Sequence, residues 1–146
     1  MISNILENIT LYIHRIGLAG KHQQGMAYLS MGDYKRALDI WKPLAESGHS
    51  KAQYDLGVMN YCALGVERNF AAAIELFLKA AAESNTDAEI FLGAIYSSGR
   101  GASQDIEKAL LYYGRAKAKG NDRARELYSK LLSEGIPDPK RYAPDK

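Results

Sequence analysis

Residues 52–87 read AQYDLGVMNYCALGVERNFAAAIELFLKAAAESNTD, and residues 88–123 read AEIFLGAIYSSGRGASQDIEKALLYYGRAKAKGNDR. Aligned without a gap, the two segments share eight identities: Ala52/Ala88, Leu56/Leu92, Gly57/Gly93, Gly65/Gly101, Ala73/Ala109, Ala80/Ala116, Ala82/Ala118 and Asn85/Asn121. Chance supplies roughly two or three in a chain this rich in Ala. Conservative pairs such as Met59/Ile95, Asn69/Asp105, Ile74/Leu110 and Phe77/Tyr113 fill the intervals. The second half of the unit recurs upstream as Asp33-Tyr34, Ala37, Leu38 and Trp41, again at a shift of 36. The first half recurs as Gly25 and Tyr28, but at a shift of 32, so the first unit has an inter-helix loop four residues shorter.

Each unit reads as two helices. Ala52, Leu56, Met59 and Ala63 are spaced by four, three and four, an apolar helical stripe. Ser50 with Gln53, and Thr86 with Glu89, have capping-box spacing and predict the start of each first helix. After a Gly-containing loop, Asp33, Asn69 and Asp105 stand where a second helix needs its N-cap. Gly57 and Gly93 on the first helix, facing Ala73, Ala80, Ala109 and Ala116 on the second, let two backbones approach while Phe77 or Tyr113 fills the gap. A single unit of this kind cannot bury its own stripe, so the units must stack.

The run Ala52-x-x-x-Leu56-Gly57, the loop Gly65-Val66, then Asn69-Phe70-x-x-Ala73 and Phe77-x-x-Ala80-Ala81 resembles the Sel-one-like repeat, a 36-residue relative of the tetratricopeptide repeat. Ala88, Leu92-Gly93-x-x-Tyr96, Gly99-Arg100-Gly101, Asp105, Lys108-Ala109 and Tyr112-Tyr113-x-x-Ala116 repeat it. The resemblance covers residues 20–133. Asn60, Ala102 and Ser84 depart from it, where the family prefers Tyr, Val and Gly. It implies an all-α fold, a right-handed α/α solenoid of stacked antiparallel helix pairs. Repeats fall near 18–50, 51–86 and 87–122, with a terminal helix over 122–134. Helices are predicted near 3–16, 19–31, 34–47, 51–63, 70–83, 87–98, 105–119 and 122–133. Residues 1–17 read as an N-terminal capping helix ending near Gly17, since Ile5, Ile9 and Ile13 match Ala37, Trp41 and Ala45 at a shift of 32. The tail over 135–146, with three Pro, reads as flexible.

Totals narrow the function classes. The net charge is +2, from 19 basic and 17 acidic residues. Residues 1–50 carry five basic and four acidic groups, 51–99 three and six, and 100–146 eleven and seven. That is far from a nucleic-acid-binding composition. Arg115, Lys117, Lys119, Arg123 and Arg125 cluster in the basic third without interleaved aromatics. The single Cys62 excludes an internal disulfide framework and a Cys-rich zinc site, and reads as a buried thiol. No stretch of about 18 apolar residues predicts a membrane span. Glu7, His14 and Arg15 break the N-terminal apolar run, so it lacks the form of a signal peptide. The sequence therefore places the chain in the cytoplasm, or in the periplasm if a presequence has been removed.

No catalytic constellation emerges, and no cofactor is expected. His14, His22 and His49 form no spaced metal pair. Gly20-Lys21-His22-Gln23-Gln24-Gly25 lacks the Gly-Lys-Ser/Thr order of a phosphate loop, and no strand precedes it. What remains is a surface. Resemblance to tetratricopeptide-like solenoids implies that first helices line a concave groove, where His22, Met26, Leu29, Tyr54, Val58, Tyr61 and Ile90 are the candidate protein-binding residues. The expected function is a non-enzymatic adaptor, bacterial in style, that binds another protein. An immunity protein neutralising a cognate toxin is the alternative, and nucleic-acid binding through the basic third a further one. Homo-oligomerisation is left open.

Overall fold

The structure is a computed structural model that describes residues 2–134, with side chains described from Glu7 onward. Seven helices follow one another: α1 (Ile2–Ser30), α2 (Tyr34–Glu46), α3 (Ser50–Cys62), α4 (Phe70–Ala82), α5 (Thr86–Ser98), α6 (Ile106–Ala118) and α7 (Asp122–Ser133). No strand occurs among the described residues. Short connections fold consecutive helices back as antiparallel neighbours. The chain divides into two compact units, one through Glu83 and one from Ser84. In the first, α1 packs on α2, α2 on α3 and α3 on α4; in the second, α5 packs on α6 and α6 on α7. The connection between α1 and α2 is indeed four residues shorter than those between α3 and α4 and between α5 and α6. The proposed tail over 135–146 and the side chains of Ile2, Ile5 and Leu6 lie outside the described residues.

One device recurs in each helix pair: a ring from the second helix lies on a glycine of the first. A Cβ at Gly57 would come within 2.6 Å of the Phe77 ring, and one at Gly93 within 2.5 Å of the Tyr113 ring. At Gly25 it would collide with the Trp41 indole. Trp41, Phe77 and Tyr113 are all buried. The core of the first unit gathers Ala37, Leu38, Trp41, Leu44, Ala45, Ala52, Leu56 and Met59.

Three sequence expectations need correction. The predicted helices over 3–16 and 19–31 are one continuous helix of 29 residues. Gly17 is surrounded by good helix formers, and an interior Gly weakens a helix by about 1 kcal/mol without ending it. Ile9 and Ile13, expected to cover the first repeat, are exposed instead. The first-helix caps also sit one residue earlier than the capping boxes suggested. His49, Asn85 and Asn121 are the N-caps of α3, α5 and α7, each accepting a backbone N–H three residues on. Gln53 and Glu89 are thereby released from capping, and both are buried. Gln53 donates to the Ala45 carbonyl (3.1 Å), and Glu89 pairs with Lys119 (2.7 Å).

The His49 cap makes α3 sensitive to acid. Its Nδ1 accepts from the Ala52 N–H at 3.2 Å, which requires that nitrogen to be unprotonated. Burial first, then the charges of His22 and Lys51, hold this imidazole below its ordinary value of 6.5. The unfolded chain thus binds the proton more readily than the folded one, and stability rises with pH. The contribution is complete above about pH 6.5 and is lost as the pH falls through the lower, folded value. His49→Asn supplies the cap that Asn85 and Asn121 supply one and two repeats on. We expect it to remove this part of the pH slope between pH 7.5 and 5. Thermal melts of both proteins across that range check it; parallel slopes would count against the cap.

Candidate functional site

A polar tie joins the first helices of the N-terminal unit. His22 Nε2 meets Asp55 Oδ2 at 2.6 Å, linking α1 to α3. The His22 ring stacks between Trp41 (5.8 Å) and His49 (5.3 Å), and Trp41 Nε1 donates to the His22 carbonyl. The candidate contact residue His22 is thus held by Asp55, Trp41 and His49 and also lines a cleft beside it. One turn on from it lies Met26, 37% exposed. Three residues on from Asp55 lies half-buried Val58, and one turn further Cys62, which is exposed rather than buried. Parallel first helices therefore carry Met26, Val58 and Cys62 on the same side of the tie.

On the other side of the tie the surface turns polar. An open cleft of about 560 Å³ lies between α1 and the α2–α3 turn, lined by Arg15, Leu18, His22, His49 and Lys51 with Glu83. Arg15 and Lys51 outnumber Glu83 in its lining, so the cleft carries a net positive charge. The face thus runs from a cationic end to an apolar one.

The other candidates separate. Tyr61 is only 8% exposed and packs on Phe70 (4.9 Å), so it is a core residue. Tyr54 is half-buried against Phe77 (5.8 Å) and shares in the packing of α3 on α4. Leu29 packs against the core of the first unit. Ile90, in the second unit, is half-buried. Sequence spacing placed these residues on one helix face; it did not show which of them a ring from the next helix would cover.

In the second unit two residues of the basic cluster, Arg115 and Lys117, do rest on aromatic rings, as does Lys108 outside it. Lys108 lies over Tyr96 (5.2 Å), Arg115 over Tyr112 (5.7 Å) and Lys117 over Tyr128 (4.5 Å). Tyr96 and Tyr112 stack at 5.9 Å. Burial raises the Tyr112 hydroxyl pKa, with Tyr96 adding to the effect. These cations are exposed and rest on ring faces of their own unit. Among the described residues no group of three His, Cys, Asp or Glu side chains is placed to hold a metal ion, and no helix is long and apolar enough to cross a membrane.

Consecutive antiparallel helix pairs with one register and one glycine–ring device define an α/α-repeat protein of the solenoid class. Residues 50–85 and 86–121 each match the family model of the Sel1 repeat, and the chain belongs to the Sel1-repeat family. It is similar to a Sel1 repeat protein from Oxalobacter formigenes of known crystal structure, with a TM-score of 0.74 and 27% identity over 79% of this chain and 47% of that one. It is 32% identical over 83 residues to the ERAD-associated E3 ubiquitin-protein ligase component HRD3B of Arabidopsis thaliana, covering 57% of this chain and 14% of that protein. It is 29% identical over 120 residues to the DAP3-binding cell death enhancer 1 of Mus musculus, covering 82% of this chain and 23% of that protein. The chain thus spans less than a quarter of the length of these two relatives. Sel1 repeats are protein-interaction modules.

Proposed function

We propose that this chain is an adaptor that holds a segment of a partner protein along the α1–α3 face of its N-terminal unit. The observation that carries the proposal is the placement of Met26 and Val58 beside the His22–Asp55 tie, at the apolar end of a face whose other end is the cationic cleft. The segment that suits this face has acidic residues toward Arg15 and Lys51 and an apolar anchor toward Met26 and Val58. Two similar proteins are named as a ligase component and as a binder of another protein, which agrees with an adaptor role.

Met26→Glu with Val58→Glu is expected to weaken capture of the native partner at least tenfold, since a charge placed in an apolar contact is left unpaired. The melting temperature should change little, because neither residue belongs to the buried core. Affinity capture with quantitative mass spectrometry, run beside a Lys117→Glu control, decides the matter. Binding lost in the control and kept in the double variant would move the site to the basic tyrosine surface.

A further inference from the structure

We infer that the N-terminal half of α1 is a dimerisation surface, and that its occupant is the same half-helix of a second copy of this chain. Helix α1 has 29 residues whereas α2 has 13, about 43 Å against about 20 Å at 1.5 Å per residue. Its C-terminal half is held by the chain itself: Leu18 and Leu29 pack on the core, His22 bonds to Asp55, and Gly25 lies under Trp41. At about 100° per residue those four positions fall within a narrow arc. Ile9, Tyr12, Ile13 and Ile16 fall on the reverse side, and they are between 48% and 66% exposed. Further along α1 that reverse side carries Gly20, Gln23, Gln24 and Ala27, so the apolar stripe belongs to the first half alone. The repeats of this chain, packed on the other side, do not cover it.

A half-helix of this length without tertiary cover is only marginally helical in water. Something apolar, helical and uncharged is needed to cover it. Glu7, His14 and Arg15, the ionisable side chains near the stripe besides Tyr12, lie off it at the same helical spacing, so no charge opposes a like surface brought against it. A second copy offers the same stripe, and a two-fold antiparallel crossing matches it with itself in a closed, isologous pair. Four side chains exposed to this degree present on the order of 450 Å² per copy. A pair then buries about 900 Å² before flanking backbone and polar side chains are counted, close to the ~1,000 Å² of a specific interface.

The test is the solution mass of the full chain, measured by light scattering and sedimentation over a range of concentrations. Reducing agent is present throughout, because the exposed Cys62 could otherwise link copies. The expected mass at about 100 μM is twice 16.1 kDa. Ile9→Glu with Ile13→Glu should return it to 16.1 kDa with the helices of the repeats intact by circular dichroism. Ile9→Leu with Ile13→Leu, which keeps the stripe apolar, should leave the dimer in place. A monomeric wild type overturns the inference. A dimer that survives the double Glu variant places the interface elsewhere, and open-ended growth with concentration excludes a closed pair.

Discussion

Gly57→Leu is expected to lower the stability of the protein by about 3 kcal/mol or more, through the overpacking of one ring. The first atom of any side chain at position 57 would lie 2.6 Å from Phe77 Cε1. Phe77 is fully buried, so its ring has no free space into which to swing. The backbones of α3 and α4 must part, and the rest of the leucine then has to be housed in the opened contact. At roughly 4–8 °C per kcal/mol for a unit of this size, the melting temperature falls by on the order of 10–20 °C. Two companion variants make the cause specific. Gly17→Leu, on a stretch of α1 where a Cβ meets nothing within 4 Å, should be harmless. Gly57→Ala with Phe77→Leu should cost less than the two changes measured separately, because each relieves the other. Additivity in that cycle, or equal effects at Gly17 and Gly57, would show that the glycine is not the seat of the ring.

The residues that foretold this contact were local and periodic. Gly57/Gly93 and Phe77/Tyr113 recur at a spacing of 36, and a small residue repeated against a large one is legible as packing before any coordinates exist. The loop shortening in the first repeat was legible for the same reason. The caps were nearly so: Asn85 and Asn121 are identical across repeats and do cap, but His49 stands in their place before α3, which hid the series. Gly17 misled because a glycine after an apolar run imitates a helix stop. Only a left-handed backbone or a missing partner would have made it one, and α1 continues through it.

The candidate site was less legible than the fold, because burial there depends on rings supplied from elsewhere in the chain. Tyr61 and Val58 have adjacent positions on the same helical face. Phe70 covers Tyr61 and leaves Val58 half-open, and no pattern within α3 distinguishes them. The His22–Asp55 tie joins residues 33 apart across two stacked first helices. Neither residue type announces that pairing, since a histidine and an aspartate on polar faces are ordinary. The cationic cleft was hidden for the same reason: Arg15 and Lys51 are distant in sequence and converge only when α1 runs unbroken past the α2–α3 turn.

Lys119→Met is expected to destabilise the second unit by about 3 kcal/mol, although by sequence this lysine belongs to a solvated basic cluster. Its Nζ lies 2.7 Å from Glu89 Oε2 and 3.0 Å from the Ser84 carbonyl, linking the end of α6 to the start of α5. Glu89 is only 3% exposed, whereas Lys119 is about one-third exposed. Removing the lysine therefore leaves a carboxylate in the interior with its counter-charge gone, the expensive way to break such a pair. Lys119→Glu should be worse, since two carboxylates would then compete for one site. Lys117→Glu, two residues away, gives up only a cation resting on Tyr128, about 0.5–1 kcal/mol at an exposed position. The same reasoning limits what the pair itself contributes. Replacing both partners, as Glu89→Leu with Lys119→Met, removes the unpaired charge together with the bond and should recover most of the lost stability. Urea unfolding of the four variants beside the wild type separates these outcomes. A double variant as unstable as Lys119→Met would mean that the lysine acts chiefly through the Ser84 carbonyl, and a Lys119→Met protein as stable as the Lys117→Glu one would mean that Glu89 is solvated after all.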